Sequence, residues 1–264
     1  MGKTLHVLTD LKLRQRSGIV VAFTERTGGH SLAPYDTLNL AGHVGDDPLN
    51  VDWNRSEVMS ALGVSHLRDA LVTAEQVHGI RVAQVDGDNA GRGACADSGL
   101  RPMEEADVLF TEAEDLPLMM LYADCVPVVL VTEAPRSVAV VHAGWRGILD
   151  GVVARAVESV REATDVSPSD VAAYVGPHIG ECCYSVDEEL LSHFTNAFDT
   201  IAPVEGRLDL AMAVHESLVG CGLAEDRIVH AGLCTLDHGD RFFSFRGSAN
   251  TGRHGAVAVI TKGA

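Results

Sequence analysis

Residues 137–147 read S-V-A-V-V-H-A-G-W-R-G, and this stretch decides the fold class of the chain. Its first half alternates apolar side chains as a buried strand does, and small residues then turn the chain into the next segment. The apolar residues of that next segment recur with helical spacing: Ile148, Leu149, Val152, Val153, Ala156, Val157 and Val160. A buried strand followed directly by a one-sided helix predicts a helix packed on a sheet.

Strand-type and helix-type patterns recur along the rest of the chain. Residues 116–131 are an apolar run broken near Ala123, Asp124 and Cys125, which predicts two buried strand pieces joined at a kink. Further strands are predicted in residues 18–30, 70–77, the start of 171–184, and the C-terminal runs R-I-V-H-A-G, R-F-F-S-F-R-G and G-A-V-A-V-I-T-K. Further helices are predicted over residues 51–63, 187–198 and 207–220.

The order of these elements predicts the architecture. Strands and helices alternate without the strict order of a doubly wound fold, so we expect an α/β or α+β protein with mixed β-sheets flanked by helices. We expect a single domain over residues 1–264, either one compact unit or two tightly packed lobes. Residues 86–99 are rich in Gly and Asp, which indicates a surface loop and the boundary between any two lobes.

The charge balance excludes several classes of partner. Thirty-seven acidic residues against 20 basic ones give a formal net charge of −17. This charge repels nucleic acid and anionic lipid at long range, so we expect neither a nucleic acid nor a membrane partner. A small anionic ligand would need a local pocket of basic side chains.

The cysteines and the first residues indicate a compartment. The start M-G-K-T-L-H-V-L-T-D lacks the apolar core of a signal peptide, and no run reaches the ~18 apolar residues of a membrane span. Six cysteines are too few in 264 residues for a secreted disulfide framework. The absence of any C-x-x-C pair argues against a closed structural zinc site of the usual local kind. We therefore expect a cytoplasmic protein with mostly reduced cysteines.

Three metal-ligating residue types stand at predicted strand ends, namely His78, Cys125 and His142. Two imidazoles and a thiolate suit zinc, and three protein ligands leave the open position of a catalytic site, where bound water has a pKa near ~7. A plainer interpretation stays open, because an internal cysteine is usually a small hydrophobe and a histidine before glycine is usually a turn residue. Spacing alone does not choose between the two.

Eight motifs stand in the order found in one known family: T-E-R-T-G-G-H-S, L-N-L-A-G-H-V-G-D-D-P, N-R, E-Q-V-H-G, A-D-C-V-P-V-V-L, H-A-G-W-R-G, G-P-H-I-G-E-C-C-Y and T-G-R. From about residue 20 to residue 260 the chain resembles the laccase-domain family. Its members, first described as multicopper polyphenol oxidases, are understood as zinc-dependent purine nucleoside phosphorylases with adenosine deaminase and methylthioadenosine phosphorylase activity.

The resemblance implies site residues and substrates. One catalytic zinc ion would be bound by His78, Cys125 and His142. Phosphate would cleave adenosine, inosine, guanosine or methylthioadenosine to the free base and ribose 1-phosphate or methylthioribose 1-phosphate. Many relatives carry R-R-D-G-x-x-T-G-R near the C-terminus where this chain reads F-R-G-S-A-N-T-G-R, so Arg246 and Arg253 remain while a second arginine and an aspartate do not.

A phosphorylase must bind phosphate beside C1′ of the ribose and stabilise the departing purine. Arginines in turn-like segments near the matched motifs are the candidates for substrate binding: Arg26, Arg55, Arg146, Arg246 and Arg253. Ordinary surface arginine is the alternative for each of them.

Deamination would need attack on C6 of adenine and a proton carrier. The zinc deaminase signature H-x-E followed by P-C-x-x-C is absent, so such an activity would use another geometry. Asp124 and Glu75 are the candidate proton carriers. Asp124 would alternatively orient a metal ligand, or be a satisfied polar group at the strand kink.

Other functions compete with this interpretation. A copper laccase needs clustered H-x-H pairs, and none occurs, so copper is not expected. A metal-independent hydrolase or deamidase would use Cys125 as a thiol nucleophile and His142 as its base. A non-catalytic binding module would use the same residues only to stabilise the fold. The sequence ranks neither the nucleosides nor monomer against homodimer.

Overall fold

The computed structural model describes residues 4–201 and 206–262 of the chain. Within these ranges the strands are β1 (Val7–Thr9), β2 (Ile19–Thr24), β3 (Val82–Gln84), β4 (Val108–Thr111), β5 (Leu118–Tyr122), β6 (Val126–Glu133), β7 (Arg136–Ala143), β8 (Ala172–Val175), β9 (Ile228–His230) and β10 (His254–Ile260). The α-helices are α1 (Leu11–Ser17), α2 (Pro48–Ala61), α3 (Trp145–Leu149), α4 (Val152–Thr164), α5 (Glu188–Ala197) and α6 (Leu210–Gly220). In this described part of the chain, every helix is too short or too polar to cross a membrane.

The strands form two sheets. The first has four antiparallel strands in the order β1-β2-β10-β5. The second has six strands in the order β3-β4-β7-β6-β8-β9, and its edge strands β3 and β9 run parallel to their neighbours while the inner pairs are antiparallel. This confirms the predicted mixed sheets flanked by helices.

The two sheets bury a shared core between them. Both contribute fully buried side chains, including Val21 and Met120 from the first sheet and Val129, Val138 and Val140 from the second. The opposite side chains of β6 and β7 pack in a second core with the helices that follow them, whereas α2 covers the far face of the four-stranded sheet. Because β6 and β7 are buried on both faces, their sequences are almost continuously apolar.

The chain crosses from one sheet to the other between β5 and β6. The crossing consists of Ala123, Asp124 and Cys125, and Asp124 has a φ of 98°, a left-handed conformation that turns the chain sharply. The predicted kink is therefore confirmed, and its two strand pieces belong to different sheets. Across the shared core, the hydroxyl of Tyr122 donates a hydrogen bond of 2.8 Å to the Val141 carbonyl and ties β5 to β7.

The helix after β7 is divided in two. The apolar spacing predicts one continuous helix, but α3 ends at Leu149 and α4 begins at Val152. Gly151 has a φ of 88°, a left-handed conformation that interrupts the helix and that glycine adopts without steric cost. The buried face still continues, since both helices pack into the same core.

Two predicted strands are absent from the described structure. Residues 70–77 make only isolated bridges, because their backbone N–H groups bond in turn to Pro117, Arg92 and Met103 rather than to one neighbouring strand. Residues 241–247 are turns and irregular chain. The apolar signal of that segment comes from Phe242 and Phe243, which are fully buried without belonging to a sheet.

Candidate metal centre

Three side chains predicted as metal ligands converge at one end of the six-stranded sheet. One donor atom from each of His78, Cys125 and His142 lies within 4.8 Å of the other two. The Cys125 Sγ atom is 3.7 Å from Nε2 of His78, and the two imidazole rings meet edge to face with their centroids 4.8 Å apart. His142 comes from the end of β7, Cys125 from the crossing between the sheets, and His78 from an irregular segment before β3.

One buried carboxylate orients this cluster. Asp107 lies directly before β4 and is fully buried, and its Oδ1 atom is 2.7 Å from Nδ1 of His142. The same carboxylate accepts hydrogen bonds from the backbone N–H groups of Val77, His78 and Gly79. The hydrogen bond to Asp107 assigns the ring proton of His142 to Nδ1. The lone pair of Nε2 then faces the cluster and can ligate a metal ion. Asp107 therefore fixes two of the three candidate ligands.

Sequence reasoning missed Asp107, although a signal was present. The residue interrupts the apolar run A-D-V-L-F, as Asp124 does in A-D-C-V-P. A carboxylate at the edge of a buried strand must find donors, because an unpaired buried charge is costly. The spacing does not show which donors it meets.

The segment that carries His78 is held from both sides. The side-chain amide of Gln76 donates to the Leu121 carbonyl at 2.8 Å and accepts from the Leu121 N–H at 2.9 Å, as a strand neighbour would. His78 itself has a φ of 62°, a conformation that non-glycine residues adopt only when their surroundings hold them there. In Q-V-H-G, therefore, the glutamine anchors the loop and the histidine faces the cluster.

The glycine after β7 provides the space for the cluster. A Cβ atom on Gly144 would lie 2.5 Å from Cδ2 of His78 and 3.3 Å from Sγ of Cys125. The backbone of Gly144 is in the extended region that any residue adopts, so the requirement for glycine there is steric contact alone. The small residues of H-A-G-W thus let His78 and Cys125 approach His142.

The electrostatics of the cluster favour a thiolate. Burial raises the pKa of the Cys125 thiol, but the adjacent His142 and His78 outweigh it and bring that pKa down to about 6. Burial likewise lowers the pKa of His142, but Cys125 and Asp107 outweigh it and raise that pKa to about 9. A thiolate and two imidazoles form the borderline-soft donor set that zinc prefers, so these residues fit a metal ion.

The cluster forms part of the wall of a cavity of about 1000 Å³. The cavity wall is rich in arginines and aromatic rings, with carboxylates between them. Its charged and aromatic lining residues are Arg92, Arg101, Arg246, Arg253, Glu75, Glu104, Asp124, Trp145, Tyr184 and Phe245. Sequence reasoning missed Arg92 and Arg101, which belong to or follow the predicted surface loop and come to the cavity only through tertiary folding.

Two of the predicted substrate-binding arginines line this cavity. The Arg246 guanidinium lies 4.9 Å from the ring centre of Tyr184, and its Nη1 donates to the Ser185 carbonyl at 2.7 Å. The Arg253 guanidinium lies 5.7 Å from the ring centre of Phe245 and donates from Nη1 to the carbonyls of residues 251 and 252. Both guanidinium groups are thereby held at the wall.

The other three predicted arginines do not line the cavity. Arg55 is buried, and its guanidinium donates only to the backbone carbonyls of Leu40, Gly93 and Ala94, so it acts as a cross-link inside the protein. Arg26 donates to backbone carbonyls and contacts the ring of Phe243. Arg146 is exposed, and its guanidinium stacks 4.5 Å from the ring centre of Trp145.

The two predicted proton carriers differ in their surroundings. Asp124 lines the cavity, but its oxygens accept hydrogen bonds from the hydroxyl of Thr235 at 2.7 Å and from the backbone N–H of Arg246 at 2.6 Å. These bonds hold the loops around the cavity, whereas the carboxylate that bonds to a candidate ligand is that of Asp107. Glu75 is exposed on the cavity wall.

Known proteins resemble this chain over nearly its whole length. The family described as multi-copper polyphenol oxidoreductase laccase matches residues 20–261. A Xylella fastidiosa (strain 9a5c) protein named purine nucleoside phosphorylase is 36% identical over 255 residues, which cover 92% of this chain and 93% of that protein. Purine nucleoside phosphorylase ORF3 of Streptomyces griseus is 38% identical and covers 88% of this chain and 90% of its own length.

Solved structures share the fold. YlmD from Geobacillus stearothermophilus superposes with a TM-score of 0.86 at 31% identity and covers 93% of each chain. The Bacillus licheniformis protein YfiH superposes with a TM-score of 0.88 at 29% identity and covers 97% of this chain and 96% of its own.

Replacing Asp107 tests the centre directly. In Asp107→Asn the amide nitrogen cannot accept a hydrogen bond, so the variant loses part of the support for His142 or for residues 77–79, and we expect metal affinity to fall by about 10–100-fold. The affinity is measured by competition with a chromophoric chelator. Asp124→Asn is the matched control because Asp124 bonds to no candidate ligand, and equal affinities for the two variants would contradict the role assigned to Asp107.

Replacing Gly144 tests the steric requirement. The Cβ of Gly144→Ala would collide with the His78 ring, so we expect metal affinity to weaken by about tenfold or more. Gly87→Ala is the control, since a Cβ there would meet nothing within 4 Å. If Gly144→Ala binds metal as tightly as the unaltered protein, the donor atoms do not depend on this contact.

Proposed function

We propose that this chain, which belongs to the multi-copper polyphenol oxidoreductase laccase family, is a zinc-dependent purine nucleoside phosphorylase. The observation that carries the proposal is the three-donor cluster on the wall of an arginine-lined cavity. Relatives that bear the name purine nucleoside phosphorylase cover about nine-tenths of the chain, which supports the same reaction class. We propose adenosine, inosine, guanosine or methylthioadenosine as substrates, phosphate as co-substrate and the cytoplasm as the location.

In this proposal His78, Cys125 and His142 hold the zinc ion. When bound there, the ion would supply Lewis acidity. Asp107 keeps the His142 ring in the tautomer that can ligate. The absence of any H-x-H pair in the sequence favours this assignment over copper chemistry.

The arginines of the wall would hold phosphate. In phosphorolysis a phosphate oxygen forms a bond to C1′ as the bond from C1′ to the purine nitrogen breaks, and the base leaves with the electron pair. Arg246 and Arg253 are anchored through Nη1, and their Nη2 atoms form no hydrogen bond within residues 4–201 and 206–262. Guanidinium groups held in this way suit a phosphate dianion, and they supply the local positive charge that a chain of net charge −17 requires.

The aromatic rings of the wall would bind the purine. Tyr184, Phe245 and Trp145 line the cavity, and flat apolar surfaces of this kind stack on purine rings. Glu75 is the better placed proton carrier for the departing base or for adenosine deamination, because it is exposed on the wall while Asp124 is engaged by Thr235 and Arg246.

A second candidate function rests on the thiol. Cys125 lies beside two histidines, an arrangement that also serves a metal-independent hydrolase or deamidase with Cys125 as nucleophile and His142 as base. In that case metal removal would leave turnover intact. A binding module, the remaining alternative, would show no turnover with or without metal.

Product analysis of the zinc-loaded protein with adenosine tests the proposal. We expect adenine and ribose 1-phosphate only when phosphate is present, with inosine as the product of deamination. Cys125→Ala should lower turnover by about a hundredfold or more, because a missing ligand releases the ion. Cys95→Ala is the control, since Cys95 is exposed and does not line the cavity. A folded, metallated protein inert toward every purine nucleoside would exclude the phosphorylase.

Phosphate kinetics test the arginines. Removing one charge-assisted hydrogen bond costs about 1.5–3 kcal/mol, so Arg246→Ala should raise the KM for phosphate by roughly tenfold to a hundredfold. The KM for the nucleoside should change less. Arg155→Ala, on the exposed face of α4, is the control. An unchanged phosphate KM in Arg246→Ala would place the phosphate elsewhere.

A further inference from the structure

A second group of metal-ligating side chains lies away from the cavity lining. It consists of Cys182, Cys183, Cys234 and Asp237, and one donor atom from each lies within 4.8 Å of the others. All three thiols are free, and Cys182 and Asp237 are exposed, so the group is open to solvent. It joins the turn after β8 to the irregular chain after β9.

One carboxylate connects two of the thiols. Cys182 Sγ lies 3.0 Å from Oδ2 of Asp237, and Cys183 Sγ lies 3.1 Å from Oδ1 of the same residue. The third sulfur, of Cys234, accepts a hydrogen bond of 3.3 Å from the backbone N–H of Gly180. This hydrogen bond fixes the position of the Cys234 sulfur next to the other two thiols.

The backbone around the group brings the sulfurs together. A Cβ atom on Gly180 would lie 3.1 Å from Sγ of Cys182 and 3.2 Å from Cβ of Cys234, so the absence of a side chain at this position permits the close approach. The two segments are also joined by backbone hydrogen bonds between His178 and Leu233 and between Thr235 and His178. The donor atoms therefore sit on two connected segments instead of one flexible loop.

We propose that Cys182, Cys183, Cys234 and Asp237 bind a second divalent metal ion of the zinc class. Three sulfurs and one carboxylate oxygen provide the four ligands of a closed structural site, and thiolates select soft or borderline ions over calcium or magnesium. Binding one divalent ion replaces the three thiol protons, which pass to solvent. The absence of C-x-x-C concealed this site, because the local pair is C-T-L-D and the other two ligands lie on another segment.

The position of the group indicates a structural role for the ion. Tyr184, next to Cys183, lines the cavity, and Thr235, next to Cys234, donates to Asp124, the neighbour of Cys125. An ion at this site would cross-link the two segments that carry Tyr184 and Thr235. This inference does not depend on the proposed nucleoside chemistry.

Metal content tests the inference. The reduced protein is loaded with zinc, unbound metal is removed by gel filtration, and zinc per chain is measured by mass spectrometry. We expect two ions in the unaltered protein, one in Cys182→Ser, one in Cys125→Ala and none in the double variant. Cys182 is exposed, so its serine variant should fold, and Cys95→Ser controls for loss of an exposed thiol.

The outcomes separate the two sites. Equal zinc content in Cys182→Ser and the unaltered protein, or a folded Cys125→Ala protein without zinc, would overturn the second site. If Cys125→Ala retains all the zinc while Cys182→Ser loses it, the second site stands and the cavity metal is absent. Cobalt bound to the Cys125→Ala protein should show a thiolate charge-transfer band. Adding Cys234→Ser to that protein should remove the band. Absence of the band in Cys125→Ala would also overturn the proposal.

Discussion

The carboxylate of Asp107 is the constraint on which the candidate site depends. A buried negative charge is costly unless donors surround it, and this one has four: the His142 ring and three consecutive backbone N–H groups. Because the same group bonds to the end of β7 and to the loop before β3, neither histidine can shift without breaking its hydrogen bonds. Cys125 then reaches both rings from the crossing between the sheets.

The sequence predicts the parts of the fold in which burial is regular. The runs that form β5, β6, β7 and β10 are apolar because both sheets are covered, and the helix predicted over residues 187–198 forms with Asp187 as its N-cap. The predicted elements that the described structure lacks lie where burial and hydrogen bonding are irregular. Phe242 and Phe243 carry a strand-type signal yet pack from turns, residues 70–77 divide their hydrogen bonds among several partners, and Gly151 interrupts a helix whose apolar face continues.

The sequence predicts the three candidate metal ligands better than it predicts the arginines of the cavity wall. The sequence predicts His78, Cys125 and His142 at strand ends. The fold places the three together, although His78 lies in an irregular segment before β3. Composition around an arginine does not tell whether its guanidinium faces a cavity, as in Arg246, or satisfies carbonyls inside the protein, as in Arg55. Which of the two occurs depends on the distant segments that pack against the arginine. The identity of the carboxylate that orients a candidate ligand depends on distant contacts in the same way.

The crossing between the sheets has a consequence for assembly. Cys125 stands where the chain leaves the four-stranded sheet, and its partner His78 is 47 residues earlier. The pairing of β6 with β7 brings Cys125 and His142 together, but His78 joins them through a loop that Gln76 ties to Leu121 of the other sheet. The complete set of three donors therefore requires contact between both sheets. An ion that binds only the complete set of donors would raise the free energy of unfolding of the native protein. It would not stabilise partly folded states in which the two sheets are not yet in contact.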